Sequence, residues 1–219
     1  MDRATKKVAF IVDGFNLYYS LREMEGLTKK PCRWLDLRKL CEGFLQPIGS
    51  RLGCRAELGK IHYFSAYVTH RTVRDKGIVD RHRTYVSALE NSGIDVTMSQ
   101  FKYKDVRCPH CKAAFKRPEE KETDVAMAVR LIELFATGEA PVAVLMSGDT
   151  DLKPAIRSAQ RLFAQNSIGI ITPFLRHTTE MQTFGDFHFK VSQPLVQAAQ
   201  FPPVIKLADG TTLTKPASW

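Results

Sequence analysis

The sequence predicts an α/β fold built on a parallel sheet with helices on both faces. Three observations carry that expectation. Short apolar runs at residues 8–12, 60–68, 94–103, 142–146 and 167–172 are rich in β-branched and aromatic side chains. Stretches whose apolar residues recur every three or four positions separate them. Strands alternating with helices of this length pair in parallel, because each crossover returns the chain to the same end of the sheet.

Residues 8–12 form an unbroken apolar run stopped by Asp13 and Gly14, the pattern of a strand buried on both faces. Residues 15–25 and 35–44 read as helices, and 60–68 as the second strand. Residues 80–91 have helical spacing through Tyr85, Ala88 and Leu89, stop at Asn91-Ser92-Gly93, and lead into a third strand at 94–103. A long helix is expected at about 118–136, then a strand at 142–146, a helix at 152–164 and a strand at 167–172. Residues 104–117 stand out as an excursion from the sheet. Pro194, Pro202, Pro203 and Pro216 point to an extended arm or hairpin. The expected organisation is therefore one domain over 6–190 followed by a Pro-containing tail over 191–219.

A chain of 219 residues with 44% hydrophobic and 25% charged side chains is long enough for a real core and too apolar for disorder. No stretch reaches the ~18 apolar residues of a membrane span, and the first apolar run is too short for a signal-peptide core. The cysteines number five, and Cys32, Cys41 and Cys54 sit in ordinary elements, which argues against a disulfide framework. The expected setting is a reduced, cytoplasmic one with no membrane partner. The net charge of +9 is concentrated: residues 1–117 hold 23 Lys and Arg against 12 Asp and Glu, whereas residues 118–219 hold 9 against 11. The first half attracts anions and the second does not.

In open parallel sheets ligands bind beyond the carboxyl ends of the strands. Asp13 follows the first strand there, and Asp149 and Asp151 follow the fourth. Turn and helix-cap roles are the plain alternatives for all three, since Asp populates both. Asp124 adds a third position. Ala128, Leu131 and Phe135 lie 4, 7 and 11 residues beyond it, which puts it on the expected core-facing stripe of its helix. A carboxylate there needs a partner; Lys121, one turn earlier, is one, and the sheet-edge acids with a shared cation are another. Carboxylates converging on one crevice repel each other, and Mg²⁺ or Mn²⁺ with its oxygen preference relieves that best. Such a site hydrolyses phosphodiesters by activating water and stabilising the attacking and leaving oxygens.

Ile11-Val12-Asp13-Gly14-Phe15-Asn16-Leu17, Lys121-Glu122-Thr123-Asp124-Val125-Ala126-Met127-Ala128 and Met146-Ser147-Gly148-Asp149-Thr150-Asp151-Leu152 together resemble the NYN domains of the PIN-like ribonuclease superfamily, in order, spacing and placement, over about residues 6–173. The resemblance implies a PIN-like, Rossmann-like three-layer fold and metal-dependent RNA cleavage. It places metal ligands at Asp13, Asp124 and Asp149, with Asp151 near the metal or its waters. Asn16, Ser147 and Thr150 would hydrogen-bond those carboxylates or the scissile phosphate. Arg130 is a departure, standing where many relatives carry a second acid. Six residues beyond Asp124 and about 240° around the helix, it is expected outside the metal cluster and free to contact RNA. By analogy with paired PIN-like proteins, a homodimer with the tail as its arm is a further expectation.

Arg71, Arg74, Lys76, Arg81 and Arg83 follow the second strand's carboxyl end, where they would neutralise RNA phosphates beside an acidic site. Phe15, Tyr18, Tyr19 and Tyr67 are candidates for stacking unpaired bases, or else core aromatics. Cys108-Pro109-His110-Cys111, flanked by Lys and Arg, is half a structural zinc site. His110, Cys32, Cys41, Cys54 or a second subunit would have to complete it; a plain reduced loop and a redox pair are the alternatives. Two rival functions remain. A Mg²⁺-dependent phosphatase of the haloacid-dehalogenase type wants a second acid two residues after the first, but Phe15 stands two residues after Asp13. A non-catalytic RNA-binding or regulatory module would keep every one of these acids. Glycine-rich nucleotide-binding patterns are absent.

Overall fold

A computed structural model of the protein describes residues 4–67, 76–176, 180–207 and 209–219, with the side chains of 76, 102, 103 and 116–121 outside the description. The chain runs through β1 (Thr5–Asp13), α1 (Gly14–Thr28), α2 (Leu37–Glu42), α3 (Leu45–Leu52), β2 (Arg55–Ala66) and α4 (Lys76–Asn91). It continues through β3 (Asp95–Arg107), β4 (Ala114–Lys121), α5 (Thr123–Ala136), β5 (Val142–Met146), α6 (Lys153–Leu162), β6 (Ser167–Thr172) and β7 (Phe187–Lys190). A short helix, α7 (Gln193–Ala198), and a hairpin of β8 (Val204–Lys206) and β9 (Thr212–Thr214) complete it.

The main sheet has the order β4-β3-β2-β1-β5-β6-β7. From β3 to β7 every pairing is parallel, giving a six-strand parallel centre, and only the edge strand β4 runs against its neighbour. β1 shows why both faces are covered. Val8, Phe10 and Val12 point into one apolar core and Ala9 and Ile11 into the other, the two-residue alternation of a strand sandwiched between layers. The first core takes side chains from α1, α2, α3 and α4, including Leu17, Leu37, Ile48 and Leu89; the second takes Met127 and Leu131 of α5 and Ile156 of α6. This is an α/β three-layer fold.

The chain leaves β1 for β2 and β3 on one side, then returns to β5 and β6 on the other. The β1/β5 boundary is therefore the point where strand order reverses, and helices leaving in opposite directions open a crevice at its carboxyl edge. Val12 pairs with Met146 there, so Asp13 and Ser147 emerge side by side.

Several boundaries correct the expectations. The excursion at 104–117 belongs to the sheet: β3 runs on to Arg107 and turns through the cysteine motif into β4. Pro118 is tolerated in β4 because an edge strand leaves backbone groups unpaired anyway. Consequently α5 starts at Thr123, about a turn and a half later than the helical pattern implied. The stretch after Gln193 holds α7 besides a hairpin, and it packs on the domain's own core. Trp34 Nε1 donates to the Pro202 carbonyl at 2.8 Å, and the buried Trp219 ring lies 5.6 Å from Tyr85 and 6.4 Å from Trp34. All five cysteines are free thiols. Among the described residues no helix is long and apolar enough to cross a membrane.

Candidate active site at the β1/β5 switch point

Asp13 is the last residue of β1 and the N-cap of α1. Its Oδ1 accepts the Asn16 backbone N–H at 2.9 Å, satisfying a helix-end donor, and its Oδ2 accepts from Ser147 Oγ at 2.9 Å. Ser147 Oγ in turn accepts the Asp149 N–H at 3.0 Å, and Asn16 Oδ1 accepts the Gly148 N–H at 3.1 Å. Asp149 caps the one-turn 3₁₀ helix Thr150–Leu152 by accepting the Asp151 N–H at 2.9 Å. The cap reading thus describes Asp13 and Asp149, while Asp151 is a donor within that turn rather than its cap. These bonds lock the loops after β1 and β5 together and fix where the carboxylates sit.

Two glycines make the approach feasible. A Cβ on Gly14 would stand 2.5 Å from the Tyr63 hydroxyl and 2.8 Å from the Phe64 carbonyl oxygen. A Cβ on Gly148 would meet the Arg176 carbonyl oxygen at 2.0 Å, which no side chain tolerates. In both motifs the glycine serves close packing behind the acid.

A polar pocket of about 180 Å³ opens here, lined by Asp13, Phe15, Asn16, Tyr19, Asp124, Asp149 and Arg176. Three of the predicted acids, carried by β1, α5 and the loop after β5, line one pocket. Burial pushes the Asp13 carboxyl up from 3.8 to about 6; the Asn16 N–H and Ser147 hydroxyl resist, and the charges of Asp124 and Asp149 add to the rise. The Asp124 carboxyl is raised too, by desolvation first and then by Asp149 and Asp151.

Asp124 reaches the pocket differently from the stripe argument. The buried face of α5 runs through Thr123, Met127, Leu131, Leu134 and Phe135, so Leu131 and Phe135 of the expected stripe are buried, whereas Ala128 is half-buried and Asp124 is an exposed first-turn residue at the edge of that face. Its expected partner, the Lys121 side chain, lies outside the described residues. Arg130 does stand away from the acids, but it is not free for RNA. Its guanidinium pairs with Glu139, lies 3.1 Å from His62 Nε2 and 3.5 Å from Glu133, in a network that ties α5 to β2 and to the segment before β5.

Asp151 is exposed and, with Thr150 and Ser147, is not part of the pocket lining; Ser147 acts on Asp13 from behind. Arg71 and Arg74 lie outside the described residues, as does the side chain of Lys76, the first residue of α4. Arg83 is exposed on α4, and Arg81 lines a different cavity. Cys108 and Cys111 occupy the β3/β4 hairpin tip, closed by Cys108 N–H to Ala113 at 2.9 Å and Lys112 N–H to Cys108 at 3.0 Å. Backbone N–H groups of Cys111 and His110, with the Cys111 thiol, draw the Cys108 pKa down. Cys32, Cys41 and Cys54 are buried in the domain interior, and among the described residues no group of three metal-ligating side chains includes Cys108 and Cys111.

Sequence reasoning missed Arg176, which sits four residues past β6, one strand beyond the switch point, and pairs with Glu23 of α1. It also missed an apolar cavity of about 150 Å³ that shares Phe15 and Tyr19 with the acidic pocket. Tyr18, Tyr63, Tyr85, Trp219 and His82 line it, with Arg22, Arg33 and Arg81. Tyr85 belongs to a helical pattern and Trp219 to the far end of the chain, so no local motif announced it.

The all-oxygen donor set of Asp13, Asp124 and Asp149 has the chemistry of a Mg²⁺ or Mn²⁺ site. Yet among the described residues no three His, Cys, Asp or Glu side chains are grouped closely enough to hold an ion unaided. Both Asp13 oxygens are already hydrogen-bonded, and Arg176 stands in the same lining. The residues fit a hard cation that takes its remaining ligands from water and phosphate.

The family model of the NYN domain matches residues 7–179. A curated protein, the 6-hydroxy-3-succinoylpyridine 3-monooxygenase HspA of Pseudomonas putida, is 26% identical over 252 aligned positions, covering all of this chain and 77% of that protein. A crystal structure of a protein of unknown function from Vibrio parahaemolyticus superposes with a TM-score of 0.55 at 16% identity, over 86% of this chain and 94% of that one, a likeness of fold.

Proposed function

Because the chain belongs to the NYN domain family of the PIN-like superfamily, we propose that it is a metal-dependent ribonuclease that hydrolyses RNA phosphodiester bonds endonucleolytically. One observation carries the reading: acids from three separate elements line a single pocket at the switch point of the sheet, where burial and then the neighbouring Asp149 charge push the carboxyls of Asp13 and Asp124 up. Asp13, Asp124 and Asp149 would hold Mg²⁺ or Mn²⁺, which when bound supplies hydroxide from water and charge stabilisation for an in-line displacement. The chain's own groups do the rest. Ser147 and the Asn16 N–H hold the Asp13 carboxylate in one orientation. Arg176 offers a guanidinium to a phosphate oxygen. The exposed ring of Tyr19, 6.4 Å from that of Phe15, gives the rim a stacking surface for an unpaired base. Arg83 and the other basic residues of the first half hold the RNA backbone.

The test is incubation of the purified protein with single-stranded and structured RNA, with Mg²⁺, Mn²⁺ or EDTA, beside Asp13→Asn and Asp149→Asn. Cleavage that needs the ion and vanishes in both variants is expected. RNA binding without cleavage under every metal condition would instead describe a regulatory module, and turnover of a phosphomonoester alone a phosphatase.

A second reading has its own support. The Pseudomonas relative is named for acting on a pyridine that bears a succinoyl group, it aligns with the whole chain, and an aromatic-lined cavity lies beside the acidic pocket. Under that reading the cavity binds a small aromatic acid that is oxidised with dioxygen and an external reductant. Consumption of 6-hydroxy-3-succinoylpyridine with no RNA cleavage would establish it.

A further inference from the structure

The apolar cavity beside the acids opens off the first core, whose Leu17, Leu21, Tyr63, Tyr85 and Trp219 line it, and three of its features specify an occupant. Its volume of about 150 Å³ equals that of an engineered apolar cavity that holds benzene, so it suits one six-membered ring and is small for a fused bicyclic one. Its walls are aromatic, with Phe15, Tyr18 and Tyr63 among them, and a flat π-system stacks on such rings whatever its sequence identity. His82 lines the cavity, and among the described residues its buried Nδ1 has no hydrogen-bond partner. Burial holds that imidazole neutral, its pKa drawn down to about 4. A buried polar atom without a partner is an expense a fold rarely carries unless something else satisfies it.

The entrance is equally specific. Phe15 and Tyr19 line both this cavity and the acidic pocket, so a ring seated here has its substituent beside Asp13 and Asp149. Arg22 lies in the same wall, its guanidinium 5.9 Å from the Tyr18 ring centroid, and its charge favours an anionic substituent. We propose that this cavity is a base subsite for a pyrimidine nucleotide, seating the ring against the tyrosines with its polar edge on His82 and presenting the attached phosphate to the acidic pocket. The assignment rests on the ribonuclease reading and gives that enzyme a pyrimidine preference beside the cut.

Equilibrium binding to the full chain in EDTA separates this subsite from the chemistry. UMP or CMP is expected to bind at least roughly tenfold more tightly than AMP, the loss of about one base–aromatic stack. His82→Phe keeps the ring and removes the nitrogen, and should weaken UMP several-fold. Ile78→Trp, placed in the cavity wall, should abolish it, with melting curves showing that each variant is folded; if the tryptophan does not fit, His82→Phe carries the test. Equal binding of AMP and UMP, or UMP binding unchanged in the folded variants, overturns the subsite. Binding of benzoate but of no nucleotide overturns it in favour of a free aromatic acid. Pyrimidine-selective binding without RNA cleavage would leave the subsite standing while the nuclease reading fails, and cleavage without base preference would do the reverse.

Discussion

Asp13→Asn turns the pH dependence of stability into a measure of the charge buried at the switch point. In the folded protein burial, with Asp124 and Asp149 adding to it, pushes this carboxyl from 3.8 up to about 6. At about 1.4 kcal/mol per tenfold change in proton affinity, holding it ionised above pH 6 costs the fold about 3 kcal/mol relative to the unfolded chain. The folded pKa is the higher one. The stabilisation from a protonated Asp13 is therefore fully present below pH 3.8 and lost as the pH rises through about 6. Asparagine keeps an acceptor for the Asn16 N–H and carries no charge. Between about pH 4 and pH 8 the stability difference between variant and parent should swing toward the variant by about 2.4 kcal/mol, because titrating groups not coupled to Asp13 are shared and cancel. Denaturant melts in EDTA at the two pH values measure it, and a swing below about 1 kcal/mol would refute the placement of a buried, repelled carboxyl at this position. A divalent ion works the other way. It needs the ionised form, so its affinity should fall about tenfold per pH unit below 6 in the parent, and it should stabilise the parent and not the variant.

Ser147→Ala removes the hydroxyl that donates to Asp13 and accepts from Asp149; it should destabilise by about 1–3 kcal/mol and move the Asp13 transition to still higher pH, both read from the same melts. Gly148→Ala drives a methyl against the Arg176 carbonyl, and a loss of about 1–3 kcal/mol with slower RNA cleavage is expected; a melting temperature equal to the parent's would contradict that contact. Arg176→Gln deletes the cation in the acidic lining, so Mn²⁺ should bind several-fold more tightly by calorimetry while RNA affinity at low salt falls.

The parts of this fold that were legible in the sequence are those whose pattern is set locally. β5 and β6 have the expected ends because an unbroken apolar run between turn residues has one reading in an α/β chain. β4 was not legible: its runs of charged residues on either side of Pro118 carry no two-residue alternation and suit an exposed helix start equally well, and the choice is made by pairing with β3. Pairing with β3 therefore also sets the start of α5 at Thr123. Asp13 and Asp149 were legible as strand-end acids, but their capping bonds are a matter of loop conformation. Arg176 and Trp219 reach their sites through packing between segments remote in sequence, which composition and spacing do not encode.

The charge balance of the acidic pocket explains why its ligand set is incomplete. Among the described residues three carboxylates and one arginine line it, a formal charge of −2 when all are ionised, which matches one divalent ion. A closed cage of carboxylates would hold that ion regardless of substrate, and its charge would already be neutralised when RNA arrived. Here Asp13 spends both oxygens on its own loop and resists ionisation, and Arg176 occupies part of the lining. On the ribonuclease reading an ion would therefore gain its missing oxygen ligands when a phosphodiester enters, and the phosphodiester would lose its repulsion from the acids when the ion is present. Each favours the other by the same free energy, since the coupling is reciprocal. On the same reading the basic first half of the chain would supply the attraction that brings an anion to a negative site, making the surplus of positive charge outside the pocket and the negative charge within it two parts of one device.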